Sequence, residues 1–265
     1  KRQYENGVLT GKARSFGGSL IRPEATGFGA VYYLESVMKH EHDTLEGKTV
    51  AVAGFGNVAW GVVQKLTELG AKPVTLSGPD GYIHDPDGIT TKEKFDFMLE
   101  MRASGRNKVQ DYADKFGCKF VAGDKPWGEK VDIIMPCATQ NDVDLTQAKR
   151  IVANNIKYYI EVANMPTTNE ALRFLMDQKN MVVAPSKAVN AGGVLVSALE
   201  MSQNSLRLSW TFEEVDERLH NIMVNIYHSA AATAEKYGMK GNLVAGANIA
   251  GFEKIASAMM SQGIV

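Results

Sequence analysis

The chain has 265 residues, 45% of them hydrophobic, which is enough for one large buried core with an appendage. Its 29 basic and 30 acidic residues give a formal net charge of −1, so it lacks the electrostatic field that attracts nucleic acid or anionic lipid, and no apolar run is long enough to span a membrane. The two cysteines, Cys118 and Cys137, exclude a disulfide framework, and neither they nor the five histidines show metal-ligand spacing, so we expect a cytoplasmic protein without a metal site.

The amino-terminal part of the sequence predicts an irregular segment followed by a helix. Residues 1–20 contain four glycines and no periodic apolar pattern. Pro23 and Glu24 suit the first turn of a helix, and apolar side chains recur at helical spacing from Ala25 to about His42. We therefore predict the first helix over this stretch.

The next segment has the order strand, helix, strand. The three elements are predicted at Thr49–Ala53, Val58–Leu69 and Pro73–Leu76. After Gly81, the turn-rich stretch 82–88 predicts a hairpin. Thr90 with Glu93 then predicts a capping box at the start of a helix.

Short apolar runs alternate with helical patterns through the middle of the chain. The further strands are predicted at Lys119–Ala122, Val131–Met135, Tyr158–Val162 and Val182–Ala184, with helices at Leu145–Val152 and Asn169–Leu175. Strands this short and apolar are typical of a sheet that is covered on both faces. We predict an α/β fold with a doubly wound, mostly parallel, Rossmann-like sheet. Three carboxyl-terminal helices follow it, at about 192–204, 212–236 with a capping box of Thr211 and Glu214, and 246–261.

The most informative motif is Gly54-Phe55-Gly56-Asn57-Val58-Ala59, which lies between a predicted strand and a predicted helix. In this context Gly54 permits a tight turn, Gly56 lets a pyrophosphate approach the backbone, and Ala59 keeps helix and strand close. The amides at the start of the helix then face the phosphates. The motif predicts a dinucleotide site; a ligand-free turn or a methyltransferase-type nucleotide site remains the alternative.

The second strand of a dinucleotide fold is expected to end in an acid that binds the adenosine ribose. Here the segment reads Ser77-Gly78-Pro79-Asp80-Gly81, with glycine at the usual acidic position and Asp80 two residues later. No lysine or arginine lies between Ser77 and Asp85 to pair with a 2′-phosphate, which favours NAD over NADP. The alternative is that Pro79-Asp80-Gly81 forms only a turn.

Three other predicted strand ends carry amides and hydroxyls. They are 137–141 (CATQN), 163–166 (ANMP) and 185–190 (PSKAVN). Because ligands bind outside the carboxyl ends of parallel strands, these loops predict an uncharged surface for a ribose and a carboxamide, although the same residue types are common in caps. Asn190-Ala191-Gly192-Gly193 opens the next helix, and Ser197, one turn further along, is by itself typical of a buried helix serine.

Taken together, these motifs resemble the coenzyme-binding domain of the hexameric, bacterial type of glutamate dehydrogenase, and in particular its NAD-linked, clostridial-like members. The distinctive segments are 10–12 (TGK) with 15–19 (SFGGS), 22–27 (RPEATG), the glycine motif, 137–141, 163–168 (ANMPTT) and 190–193 (NAGG). The resemblance covers essentially the whole chain. It implies reversible oxidative deamination of L-glutamate to 2-oxoglutarate and ammonia, by hydride transfer to the nicotinamide of NAD.

The resemblance also implies residue roles. Thr26 and Asn164 are expected at the nicotinamide, Asn57 and Val58 at the pyrophosphate, and Asp80 at the adenosine ribose. The remaining cofactor contacts are expected from Gly54, Phe55, Gly56, Pro79, Ala138 and Thr139. Ser197, with Val194 beside it, is expected to bind the side-chain carboxylate of glutamate, and Asn190 to lie near the reaction centre.

In this family the acid–base lysine and aspartate belong to a preceding domain, so no catalytic residue is assigned in this chain. We therefore expect residues 1–20 to be a linker from that domain, 21–240 the dinucleotide-binding domain, and 241–265 a helix that packs back toward the missing domain. The chain alone should bind NAD without turning over glutamate, and should be monomeric with exposed apolar surface, whereas the full-length protein should be a homo-hexamer. The alternatives are an NADP-linked or dual-specificity enzyme, a leucine or phenylalanine dehydrogenase, and a non-catalytic dinucleotide-sensing module.

Overall fold

The computed structural model describes residues 7–263, which form ten α-helices, two short 3-10 turns and eight strands. The helices are α1 (Ala25–His40), α2 (Asn57–Glu68), α3 (Lys92–Ala103), α4 (Gln110–Phe116), α5 (Leu145–Ala153), α6 (Asn169–Met176), α7 (Ser186–Val189), α8 (Gly192–Leu206), α9 (Phe212–Lys236) and α10 (Leu243–Gln262). The strands are β1 (Thr49–Ala53), β2 (Lys72–Pro73), β3 (Thr75–Gly78), β4 (Gly81–His84), β5 (Lys119–Ala122), β6 (Ile133–Pro136), β7 (Tyr158–Ile160) and β8 (Val182–Ala184).

Five strands form a parallel sheet in the order β2-β1-β6-β7-β8. β1, β6 and β7 are almost completely buried, as expected for strands covered on both faces. One face packs against a cluster that includes α1, α2, α8 and α9, and the other against α5 and α6. The predicted doubly wound, mostly parallel α/β fold with carboxyl-terminal helices is confirmed.

The other three strands form a separate antiparallel sheet, β3-β4-β5, which the sequence did not predict. The apolar run Pro73–Leu76 was predicted as one strand, but it divides between the two sheets after Pro73. At the edge of β1, the Thr75 hydroxyl bonds to the amide and carbonyl of Val52, both at 2.9 Å, and the Ser77 hydroxyl accepts from the amide of Gly54 at 2.9 Å. The hydroxyls of Thr75 and Ser77 thus take up the hydrogen-bonding groups of the backbone at this edge of β1, and the backbone of β3 is free to pair with β4.

Two further predictions are corrected by this second sheet. Lys119–Ala122 is a strand, as predicted, but it pairs antiparallel with β4 and lies outside the parallel sheet. The hairpin predicted within 82–88 is misplaced: residues 81–84 form β4, and the observed hairpin turn is Pro79-Asp80 between β3 and β4, because Gly78 pairs with Gly81.

Helix starts agree with the predicted capping signals in one case and differ in another. Thr211 and Glu214 form the predicted capping box of α9. The cap of α3 is Thr91, whose hydroxyl accepts from the amide of Lys94, so the predicted pair of Thr90 and Glu93 is wrong by one residue. None of the helices within residues 7–263 combines the length and apolar character needed to cross a lipid bilayer.

Candidate dinucleotide cleft

The glycine turn joins the carboxyl end of β1 to the start of α2, as the motif predicts. Gly54 has φ +85°, and a Cβ there would lie 3.3 Å from Cα of Ala138, in the loop after β6. Only glycine fits this close left-handed turn without strain. A Cβ on Gly56 would instead meet no atom within 4 Å, although Ala59 behind it is fully buried. The backbone at Gly56 is therefore open to a ligand rather than packed against protein.

The turn lies at the point where the strand order reverses. From β1 the chain goes to β2 on one side, and it returns in β6 on the other. Such a switch point opens a crevice between two loops, which is where doubly wound proteins bind nucleotides. Ala138 and Thr139 are exposed on the β6 side of this crevice. Cys137 just before them is buried, and burial raises the pKa of its thiol.

Asp80, in the turn between β3 and β4, already has protein partners. Its two carboxylate oxygens accept from the amides of Val109 and Gln110, each at 3.0 Å. These amides belong to the start of α4, a helix that the sequence did not predict. A Cβ on Gly78 would lie 2.7 Å from Oδ1 of Asp80 and 3.1 Å from the ring of Phe55, so the acid is close to the glycine turn. Pro79 is exposed beside it.

A basic side chain reaches the glycine turn from α3. The guanidinium of Arg102 donates to Oδ1 of Asn57, the first residue of α2, and both residues are exposed. The sequence argument against NADP considered only Ser77 to Asp85, where no base occurs. Because α3 folds back onto α2, that argument is incomplete: a positive charge is present at this end of the crevice. Val58, next to Asn57, is half-buried.

The carboxyl ends of β7 and β8 bring two predicted site residues together. Asn190 donates from Nδ2 to Oδ1 of Asn164 at 2.7 Å. Below them, the buried carboxyl of Glu161 accepts from the amide of Ser186 at 3.1 Å, which ties the end of β7 to the start of α7. Burial raises the pKa of Glu161 above its usual value, while its hydrogen bonds to Thr167 and Ser186 act in the opposite direction.

Ser197 is polar and half-buried, on the first turns of α8. Its oxygen accepts from Nε of Arg22 at 2.8 Å and from the hydroxyl of Thr10 at 3.1 Å. Since both neighbours donate, the hydrogen of Ser197 remains available for an acceptor. Val194 is exposed one turn before it.

Thr26 approaches the same helix start from α1. A Cβ on Gly193 would lie 2.4 Å from Oγ1 of Thr26, so these two positions are in close contact. The described contacts do not join Thr26 directly to Asn164. Arg22 and Thr10 were not singled out by reasoning from the residues, because their partner Ser197 is 175 and 187 positions away.

A groove of about 1010 Å³ lies at the opposite end of the sheet, near the amino ends of β7 and β8. Its lining includes His40, Lys157, Lys240 and Tyr227, and none of the predicted site residues. Strand topology, rather than cavity size, therefore identifies the cleft. Within residues 7–263 no cluster of three or more acidic, histidine or cysteine side chains is arranged to hold a metal ion.

Similarity to known proteins agrees with this geometry. The profile of the Glutamate/Leucine/Phenylalanine/Valine dehydrogenase family matches residues 17–263. The chain is 79% identical over 261 residues to an NAD-specific glutamate dehydrogenase of Clostridium symbiosum and 55% identical over 264 residues to one of Bacteroides fragilis. Each match covers 98% of this chain and 58% of the relative.

A solved structure of a glutamate dehydrogenase superposes with a TM-score of 0.97 at 79% identity, covering 98% of this chain and 58% of that one. The chain thus spans less than two thirds of the length of these relatives. The matched residues include the glycine turn and the loops after β6, β7 and β8, which form the crevice described above. The chain belongs to the Glutamate/Leucine/Phenylalanine/Valine dehydrogenase family.

Proposed function

We propose that this chain is the NAD(H)-binding domain of an NAD-dependent glutamate dehydrogenase. The observation that carries the proposal is the open backbone at Gly56, two residues after the turn at Gly54 that contacts Ala138, at the reversal of strand order. A diphosphate there lies at the start of α2, where free amides and the helix dipole favour negative charge. The names of the similar proteins support NAD as the cofactor.

The substrate end of the proposed cleft is Ser197 with Arg22. A carboxylate there receives the free hydrogen of Ser197 next to a guanidinium charge, a charge-assisted arrangement that suits the side chain of glutamate. A leucine or phenylalanine side chain offers no acceptor for the hydrogen of Ser197. The other proposed roles are unchanged. Val194 lies beside Ser197 at the substrate side chain, Asn190 lies near the reaction centre, and Asn164 and Thr26 contact the nicotinamide.

Titration of the chain with NADH, followed by fluorescence, tests the proposal. Gly56→Val places two methyl groups where the diphosphate is expected, and should weaken NADH binding by at least about tenfold, while the free energy of unfolding changes by only about 1 kcal/mol. The matched control is Gly251→Val on α10, where a Cβ also meets open space. Unchanged NADH affinity in Gly56→Val, or no binding by the parent chain, overturns the proposal.

NADP is the second candidate cofactor, and Arg102 is the observation that favours it. A guanidinium beside the glycine turn is able to pair with a 2′-phosphate. NADPH titrated in parallel separates the two cofactors: tighter NADH supports the assignment, and tighter NADPH transfers it to the NADP-linked enzymes.

The remaining parts of the proposal concern the whole protein. Residues 1–20 are proposed as a linker, 21–240 as the cofactor domain and 241–265 as a helix that returns to a preceding domain. That domain supplies the acid–base groups, so the chain alone binds NADH without oxidising glutamate. We also propose a homo-hexamer for the full-length enzyme and, from the low cysteine content, a cytoplasmic location.

A further inference from the structure

One side of α8 carries polar residues that hold the segment 10–19, which we call the strap. The four residues are Ser197, Glu200, Gln203 and Asn204; the first three are three positions apart, about one helical turn, and Asn204 follows Gln203 directly. Besides the bond from Thr10 to Ser197, the contacts are Gly11 N to Glu200 Oε2 at 2.9 Å, Lys12 Nζ to Glu200 Oε1 at 2.5 Å, Gln203 Nε2 to Ser19 Oγ at 2.8 Å, and Asn204 Nδ2 to the carbonyl of Gly17 at 2.8 Å. The strap is therefore fixed along most of its length.

Glu200 is the strongest of these attachments. Its side chain is 0% exposed, and glutamate is almost never fully buried unless it is paired. Here the amide of Gly11, the amide of Lys12 at 3.4 Å and the ammonium of Lys12 all donate to it. Burial alone raises the pKa of a carboxyl, yet these donors hold the pKa of Glu200 below its usual value. The charge is thus compensated within the protein.

The bonds to Glu200 determine where the adjacent residue, Thr10, lies. With Gly11 and Lys12 held on α8, the hydroxyl of Thr10 is brought within 3.1 Å of Ser197, one turn before Glu200. If the Glu200 carboxylate is removed, Thr10 is held on α8, within residues 7–263, only by its own hydrogen bond to Ser197. One carboxylate therefore fixes the donor that saturates the oxygen of Ser197.

We propose that Glu200 is a positioning residue for the substrate end of the cleft. It keeps Thr10 on Ser197, so that the hydrogen of Ser197 is directed to the distal carboxylate of the substrate. This inference rests on the role proposed for Ser197 in glutamate binding. Glu200 itself does not contact the substrate.

The structural part of the inference is tested on the chain alone by hydrogen exchange. In Glu200→Gln and in Lys12→Met, the amides of Gly11 and Lys12 should lose protection while NADH affinity is unchanged, because the glycine turn is at the other end of the cleft. Glu217→Gln removes a carboxylate from an exposed position on α9 and is the control. If the amides of Gly11 and Lys12 stay protected in both variants, the inference is wrong. If Glu200→Gln does not fold, the result for Lys12→Met alone tests the inference.

The functional part is tested in the full-length enzyme with glutamate and norvaline, which has the same carbon chain but no distal carboxylate. Glu200→Gln should lower kcat/KM for glutamate by about tenfold and change that for norvaline by less than about twofold. Equal losses for both amino acids, or no loss, overturn the inference.

Ser197→Ala separates this inference from the proposed function. If the parent enzyme does not oxidise glutamate, or if Ser197→Ala leaves its preference for glutamate over norvaline unchanged, the proposed function fails. If Ser197→Ala removes the preference and Glu200→Gln does not, only the role of Glu200 fails.

Discussion

Glu161 is the residue whose ionisation should be visible in the stability of the domain. Burial raises the pKa of its carboxyl, so the folded chain holds this proton more tightly than the unfolded chain. Its contribution to the free energy of unfolding is therefore greatest below the usual glutamate pKa of about 4.3, and it is lost as the pH rises through the higher folded pKa.

Glu161→Gln mimics the protonated form, which removes this loss. Relative to the parent chain, the variant should gain stability as the pH is raised from about 4 to 7, by about 1 kcal/mol for each unit by which the pKa is raised. Urea unfolding at several pH values measures the difference. If the difference in free energy of unfolding between Glu161→Gln and the parent stays constant or decreases as the pH rises, the raised pKa of Glu161 is contradicted. Glu217→Gln changes an exposed glutamate and is the control.

Sequence reasoning placed the glycine turn correctly, because the function of each glycine depends on its immediate neighbours. It did not find the partners of Asp80, which are amides 29 and 30 residues away, or those of Ser197. Contacts of that kind depend on how α4 packs beside the β3–β4 turn and how the strap packs on α8, and no local sequence pattern indicates them. The predicted role of Asp80 at the ribose stays a prediction.

At the scale of elements, the crossing of α1 and α2 controls the position of the glycine turn. A Cβ on Gly27 would lie 2.4 Å from the amide nitrogen of Val62, and one on Gly61 would lie 2.6 Å from the carbonyl of Glu24. The backbones of α1 and α2 are thus in direct contact where Gly27 and Gly61 face the other helix. Any added side chain there must separate them.

Gly27→Ala is therefore expected to destabilise the domain by about 1–3 kcal/mol and to weaken NADH binding, since α2 begins in the glycine turn. Denaturant unfolding and NADH titration measure the two effects. Gly251→Ala, in open space on α10, is the control and should be neutral or slightly stabilising. Equal stability of Gly27→Ala and the parent contradicts the close packing.

The parallel sheet was predictable because its strands are short apolar runs separated by helices. β1 and β8 have the predicted bounds, and β6 and β7 differ by one or two residues at their ends. The antiparallel sheet was not predictable, since apolar periodicity does not indicate which strand is the partner. α4 was missed because Tyr112 and Ala113 are its only buried residues, too few for a helical pattern.

At the scale of the whole molecule, α10 leaves an apolar surface uncovered. Four apolar side chains toward the end of this helix are 63–84% exposed: Phe252, Ile255, Met259 and Met260. The strap and the two residues before it add three more exposed apolar side chains, Val8, Leu9 and Phe16. The expectation of exposed apolar surface at both ends is confirmed for the described residues. Surfaces of this kind on one chain favour association.

The sequence alone predicts a monomer, but the exposed apolar side chains of α10 lead us to expect that the chain self-associates through this helix at high concentration. Replacing both Phe252 and Ile255 by glutamate should reduce this association while leaving NADH affinity unchanged, because α10 does not contribute to the cleft. Sedimentation velocity over a range of concentrations measures the effect. The control is a double change at two exposed polar positions of α9, Glu217→Gln with Asn221→Asp, which removes no apolar surface. Association that persists in the double glutamate variant places the contact elsewhere.

The burial of Cys137 has a practical consequence for following ligand binding. Its thiol is buried just before the loop that carries Ala138, and burial raises the pKa of the thiol, so we expect an alkylating reagent to modify it only when this region opens locally. The rate of labelling therefore reports how often the crevice opens, and Cys118, a half-buried free cysteine between α4 and β5, serves as an internal reference within the same molecule. A dinucleotide that bridges the glycine turn and the loop after β6 should lower the labelling rate of Cys137 and leave that of Cys118 unchanged.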